Sequence, residues 1–273
     1  MLLLVAFGCT SEVFAEDGYD LWLRYVPLQE QLRASYQSRT LEIVSGEESP
    51  TLRAARNELA RGLTGLLGKA PPVANSVTQN GAIVLGTPKS SRQIGALRLD
   101  LSSAGTEGYV IRTVSIDGHS AIAVAANNDA GVLYGVFQFL RLLQTSQALE
   151  NLNIASAPRI QHRVLNHWDN LDGTVERGYA SASIWDWHKL PDYLDPRYTD
   201  YARACASVGI NGTVLNNVNA SAVSLLPAYI QKAAAIAGVL RPFGMRVYLS
   251  ARFSAPIEIG GLKTADPLDP AVQ

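Results

Sequence analysis

The sequence predicts an α/β protein in two parts: a small N-terminal α/β domain over residues 16–150 and, over residues 158–273, the opening of a βα-repeat domain. Three observations carry this. The apolar run Ala82 to Gly86, closed by Thr87-Pro88, reads as a compact strand. The β-rich runs Gly108 to Val114 and Ser120 to Ala126 meet at Asp117-Gly118, a strong hairpin signal. After about residue 160 the rhythm becomes strand, helix, strand, helix, strand, with strands apolar in the manner of a parallel sheet.

Leu2 to Phe7 is unbroken apolar sequence, followed by small residues and then Val13-Phe14-Ala15 just ahead of Glu16-Asp17. This pattern predicts an export signal over residues 1–15, although the usual positive leader is missing. Leu41 to Val44 reads as a short strand. Pro50 opens a helix whose Leu52, Ala55, Leu59, Leu63 and Leu66 recur at spacings of three and four, and Gly68 closes it. Ser90 is positioned to cap a short helix ending at Leu97, and Asn128 opens another that presents Val132, Val136, Phe139, Leu140 and Leu143 on one face. Gln144 to Ile160, with Asn151, Asn153 and Pro158, reads as a linker. Beyond it come a strand at His162–Trp168, a helix at Thr199–Val208, a strand at Gly212–Asn217, a long helix at Leu225–Phe243 and a strand at Arg246–Phe253. The chain from Pro158 onward is less than half the roughly 250 residues of a complete (β/α)8 barrel. It is therefore either a small open sheet or part of a barrel, and the loop-like Asp266-Pro267-Leu268-Asp269-Pro270 favours the second.

Composition narrows the chemistry. With 23 Lys+Arg against 24 Asp+Glu, evenly mixed, the 273-residue chain lacks the positive field that draws proteins to nucleic acid. No apolar run reaches the roughly 20 residues of a membrane span. Cys9 falls in the expected signal, which leaves Cys205 as one thiol with no intrachain partner. Gly62 to Lys69 has the wrong spacing for a phosphate loop, and Ala70 stands where that motif needs a hydroxyl. His119, His162, His167 and His188 show no zinc spacing, and Cys205 has no base partner in sequence, so no metal or cofactor is expected. Asn211-Gly212-Thr213 and Asn219-Ala220-Ser221 are glycan sequons, but they bracket a strand expected to be buried.

In a βα-repeat domain, ligands meet the C-terminal ends of strands. Those ends here are Asn166-His167-Trp168-Asp169-Asn170, Asn216-Asn217-Val218-Asn219 and Ser250-Ala251-Arg252-Phe253-Ser254. Amides, hydroxyls and aromatics suit a sugar, whose hydroxyls need donors and acceptors while its C–H faces stack on a ring. Trp168 is the best candidate for such a platform, the alternative being a core tryptophan at a strand end. Asp169, Asp172 and Glu176 are the dense carboxylate set. Asp172-Gly173 reads as a turn, Glu176-Arg177 as an ion pair holding the loop, and Asp169 and Glu176 stay open as binding residues. Trp185 and Trp187 either guide a polysaccharide or pack their loop down, and packing is the preferred reading.

The stretch Asn166 to Asn170, with Asp172-Gly173 and Glu176-Arg177-Gly178-Tyr179-Ala180, resembles the first barrel strand and loop of the α-glucuronidases of glycoside hydrolase family 67. Asp17-Gly18-Tyr19-Asp20-Leu21-Trp22-Leu23-Arg24-Tyr25, Leu85-Gly86-Thr87-Pro88, Asn127 to Gly135 and Gly209-Ile210-Asn211-Gly212 agree. The N-terminal module alone is also similar to that of β-hexosaminidases.

The resemblance implies a hexosaminidase-like α/β module followed by the first three βα units of an incomplete (β/α)8 TIM barrel. It further implies a full-length parent, a dimer, that removes 4-O-methyl-D-glucuronic acid from xylo-oligosaccharides (aldouronic acids) with inversion and without a metal. On this basis Trp168 is the wall of the uronate pocket and Val218 contacts the 4-O-methyl group, with Asp169, Asn217 and Glu176 as nearby ligands. The family's catalytic carboxylates, and the basic residues that hold the uronate, lie on later barrel strands, past residue 273. Inversion needs two carboxyl groups roughly 6.5 to 9.5 Å apart, so the chain by itself is expected to be inactive. Open strand edges predict an insoluble or molten product when it is expressed alone, and the export signal implies a secreted or periplasmic enzyme. Two other readings remain at this stage: a secreted carbohydrate-binding protein without catalysis, and a glycosidase related to the β-N-acetylhexosaminidases.

Overall fold

The computed structural model describes residues 16–46 and 49–273, so the expected export signal lies outside the described residues. Its first sheet has six strands: β1 (Glu42–Ser45), β2 (Val73–Ala74), β3 (Ala82–Gly86), β4 (Tyr109–Ile116), β5 (His119–Ala125) and β6 (Asn153–Ser156), in the order β2-β1-β3-β5-β4-β6. Strands β2, β1, β3 and β5 run parallel, and β4 turns back antiparallel to β5 through Asp117-Gly118, both at positive φ. Alternation sorts the buried side chains. Ile43, Ile83 and Leu85 face the helices α2 (Pro50–Leu67) and α4 (Asp129–Gln144), while Val44, Ala82 and Val84 face the short helix α3 (Arg92–Leu97). A further helix, α1 (Glu30–Gln37), precedes β1; it was not anticipated from the sequence, although Leu32 and Tyr36 lie one turn apart against the core.

The helix ends follow local chemistry. Ser49 accepts the Leu52 N–H, Pro50 occupies the first turn where no donor is missed, and Gly68 at φ 88° closes α2 in the left-handed region that favours glycine. Asn128 caps α4 by accepting from the Gly131 N–H. At α3 the cap is Ser91, one residue later than expected, because the Ser90 hydroxyl is used by the Thr87 N–H.

The expected linker over residues 144–160 is a correction. Its centre is β6, which pairs antiparallel with β4. Three of the four β6 side chains are exposed and the other half-buried, so no apolar pattern announces it. Its role is to satisfy the backbone groups along the free edge of β4.

The second sheet is three parallel strands in chain order, β7 (Val164–Asn166), β8 (Gly212–Val214) and β9 (Arg246–Tyr248), with α5 (Arg197–Ser207) and α6 (Pro227–Leu240) as the crossovers. Each strand is three residues long, shorter than its apolar run, since the flanking residues make single bonds to neighbouring strands rather than regular ladders. Helix α6 stops at Leu240 ahead of a 3-10 turn at Arg241–Phe243 that contains Pro242. One face of the sheet packs against α5 and α6 around Trp185, Trp187, Tyr198, Leu215, Ile236 and Leu240, with Leu165 of the edge strand β7 still 40% exposed. On the other face Asn166 and Tyr248 are exposed. A last short helix, α7 (Ala255–Glu258), follows β9.

The two sheets are joined through α5. Arg203 on α5 is 5% exposed and binds Glu58 of α2, 4% exposed, with Nε to Oε2 at 2.7 Å and Nη2 to Oε1 at 2.9 Å. The Tyr25 hydroxyl donates to the same carboxylate at 2.6 Å, and the Trp22 indole N–H donates to Ser207 at 2.8 Å. Near the start of β7, Arg163 pairs with Glu107 at 2.5 Å.

Candidate functional site: the C-terminal edge of the second sheet

The chain stays extended beyond β7 and β8. The His167 N–H donates to the Val214 carbonyl at 3.1 Å, and the Asn217 N–H donates to the Asp169 carbonyl at 2.8 Å. Because side chains alternate along an extended strand, Asn166 and Trp168 project on the open face while His167 and Asp169 project toward the helices. Burial agrees. Trp168 is 43% exposed, whereas Asp169 is 2% exposed. Thr213 of β8 and Leu215 just after it are fully buried, and Val218, in the turn beyond, is 40% exposed. The bond between Asn217 and Asp169 ties the two segments, so Trp168 and Val218 stand at the same end of adjacent strands.

The other three sequence candidates are held differently. Asp169 accepts from the Ser183 hydroxyl at 2.5 Å, and its other oxygen lies 3.7 Å from His167 Nδ1. Asn217, 4% exposed, accepts the Asn219 N–H at 2.8 Å and so shapes its own turn. Glu176 sits at φ 56° with its N–H donating to the Trp168 carbonyl at 2.8 Å, and its carboxylate is 3.8 Å from Arg177. The edge thus brings Trp168 and Val218 to the open face, turns Asp169 inward, and uses Asn217 and Glu176 to hold the backbone. Asp172 makes the turn, accepting from the Thr174 hydroxyl and N–H, which hold its carboxyl below the ordinary range.

Three contributors were not singled out by sequence. Asn216 locks onto β9's extension, donating to the Ser250 carbonyl at 3.0 Å and accepting the Ser250 N–H at 2.8 Å. Ser183 joins Asp169 to the Trp185 N–H. His167 places Nε2 2.9 Å from the Tyr201 hydroxyl, which in turn lies 3.0 Å from Thr213 Oγ1. Alternation along β7 is the signal that points His167 inward, and it is independent of any metal-ligand spacing. Burial pushes the Tyr201 phenol well above its usual range and the Cys205 thiol up to about 11. Trp185 and Trp187, 1% and 2% exposed, pack their loop against α5 and α6. Asn211 gives its side-chain amide to Glu107 and to the Gln161 carbonyl. Among the described residues there is no group of three His, Cys, Asp or Glu placed to hold a metal ion, and no helix long and apolar enough to cross a membrane.

Solved structures place this architecture among glycoside hydrolase folds. A family GH115 4-O-methyl-alpha-glucuronidase with specificity for decorated arabinogalactans aligns with 85% of this chain and 32% of its own, at TM-score 0.57 and 18% identity. A GH138 enzyme targeting pectin rhamnogalacturonan II aligns with 76% of this chain and 24% of its own, at TM-score 0.51 and 14% identity. At these identities the likeness is one of fold. Sequence profiles are more specific: residues 21–139 match the glycosyl hydrolase family 67 N-terminus and residues 142–273 the glycosyl hydrolase family 67 middle domain, so the chain belongs to glycoside hydrolase family 67. Relatives include the "probable alpha-glucuronidase A" of Aspergillus terreus, 35% identical over 99% of this chain, and alpha-glucuronidase A of Aspergillus tubingensis, 33% identical over 96%. The chain spans about a third of the length of these relatives, 32% and 31% respectively.

Proposed function

We propose that this chain is part of an α-glucuronidase that releases (4-O-methyl)-glucuronic acid from xylo-oligosaccharides with inversion, and that residues 158–273 are the first three βα units of its catalytic barrel. The observation that carries the reading is the pairing of a half-exposed indole, Trp168, with a half-exposed branched aliphatic, Val218, at adjacent strand ends in a chain of family 67. An indole face suits the C–H side of a sugar ring. Val218 suits a methyl ether, whose burial contributes on the order of 0.8 kcal/mol. The exposed Asn166 and Tyr248 and the outer edges of β7 and β9 support further strands closing over this face. Asp169, Asn217 and Glu176 then set the pocket wall rather than fill it. The carboxylates that would protonate the leaving oxygen and activate water belong to those further strands, and this portion holds substrate without turning it over. Export to the periplasm or beyond, and dimerisation of the longer enzyme, complete the proposal.

Calorimetric titration with 4-O-methyl-D-glucuronic acid and with D-glucuronic acid tests it. Saturable binding is expected, weakened at least tenfold in Trp168→Ala. In Val218→Ala the preference for the methylated acid should fall by about fourfold, the equivalent of one methyl burial. Binding of N-acetylglucosamine in place of either acid, or unchanged affinity in Trp168→Ala, overturns the reading.

A further inference from the structure

We propose that His167 is a positioning residue for the Trp168 platform; this rests on the reading of Trp168 as the wall of a sugar pocket. Trp168 lies in sequence between two inward side chains, His167 and Asp169, and both are tied to other elements of the sheet and its helices. The imidazole lies 2.9 Å from the Tyr201 hydroxyl of α5, and through it reaches Thr213 of β8 at 3.0 Å. Its other nitrogen faces Asp169 at 3.7 Å, and Asp169 continues to Ser183 at 2.5 Å and from there to the Trp185 N–H at 3.0 Å. The ring also packs edge-on against Trp185 and Tyr201, with centroids 5.5 Å apart in each case.

An imidazole suits this place: one nitrogen is within hydrogen-bond distance of a hydroxyl, and the other faces a carboxylate at 3.7 Å, as a rigid ring with a nitrogen on each edge allows. An aliphatic residue would leave the buried Asp169 with Ser183 and Tyr201 with Thr213 and Cys205, each without the imidazole nitrogen that now faces it, a loss that buried polar groups resist. Glutamine can reproduce the outer nitrogen toward Tyr201, and asparagine the inner one toward Asp169. The network therefore fixes the strand segment from both flanks, and the indole plane with it.

The test uses the whole chain carrying Trp22→Phe. Of its four tryptophans, Trp185 and Trp187 are buried, so Trp168 is then the exposed emitter. Acrylamide quenching, emission anisotropy and the dissociation constant for 4-O-methyl-D-glucuronic acid are measured for His167→Leu and His167→Gln. His167→Leu should at least double the quenching constant, lower the anisotropy and raise the dissociation constant about tenfold. His167→Gln should return all three to within about threefold of the parent. Unchanged quenching and affinity in His167→Leu overturn the proposal. If His167→Leu loses its near-UV circular dichroism, Tyr201→Phe decides, since it removes one hydroxyl and no volume: raised quenching supports the proposal and unchanged quenching overturns it. Absence of uronate binding in the parent would sink the functional reading alone, because the quenching comparison still decides the role of His167.

Discussion

Arg203→Met is the most informative perturbation of the fold, because it breaks a buried ion pair shared by the two sheets. In the native chain Glu58 and Arg203 are 4% and 5% exposed and meet through two charge-assisted bonds of 2.7 and 2.9 Å. Burial works against the Arg203 charge, but the Glu58 carboxylate, with a further contribution from Asp200, offsets it and holds the guanidinium above its ordinary pKa. Arg203→Met leaves that carboxylate buried with the Tyr25 phenol as its remaining bonded partner. Removing one member of such a pair costs about 3 to 5 kcal/mol. For a chain of this size, 1 kcal/mol corresponds to roughly 2 to 4 °C, so Tm should fall by roughly 6 to 20 °C. The pair is also the deepest polar link between α2 and α5, and its loss should separate melting of the first sheet from that of the second. Adding Glu58→Leu and Tyr25→Phe removes the stranded charge and the stranded hydroxyl and should recover most of the loss. Differential scanning calorimetry reads both the midpoint and the number of transitions. A drop below about 1 kcal/mol in Arg203→Met, or a triple variant less stable than the single one, would refute the reasoning.

The acid limb of stability should depend on Glu42. Burial there opposes the charge, but the Thr78 N–H and hydroxyl, at 2.8 and 2.7 Å, outweigh it and hold the carboxyl below its ordinary range. A carboxyl depressed in the folded state contributes stability above its unfolded pKa, roughly 4.3, and loses it as pH falls through the folded value. Glu42→Gln should lower Tm at pH 7 and flatten its fall below pH 5; an unchanged acid slope would count against this. Cys205, with its thiol pushed up to about 11 by burial, should resist a disulfide reagent at pH 8 and react fully once denaturant unfolds the chain. Rapid labelling of the native protein would contradict that.

Much of the first sheet was legible because its signals are local. The Asp117-Gly118 turn, the Asn128 cap and the Ala82–Gly86 run each act within a few residues, and the structure places an element at each. Trp168 and Val218 were legible as positions at strand ends, since βα rhythm alone identifies such ends. Other features were not. Strand β6 has mostly exposed side chains and exists to pair with β4, so nothing in its composition records it. The inward turn of Asp169 depends on Ser183 being folded back against it.

Sequence by itself determined the βα rhythm, the Asn128 cap and the Asp117-Gly118 turn, and the residues at the strand ends, because these follow from periodicity and from short-range backbone chemistry. Only the tertiary structure decided which of those residues face outward, that His167 meets Tyr201, and that Glu58 meets Arg203 across 145 positions of chain. Such contacts join groups that become neighbours only after the sheets have packed, and the energy that selects them, desolvation offset by a matched partner, has no counterpart in the extended chain.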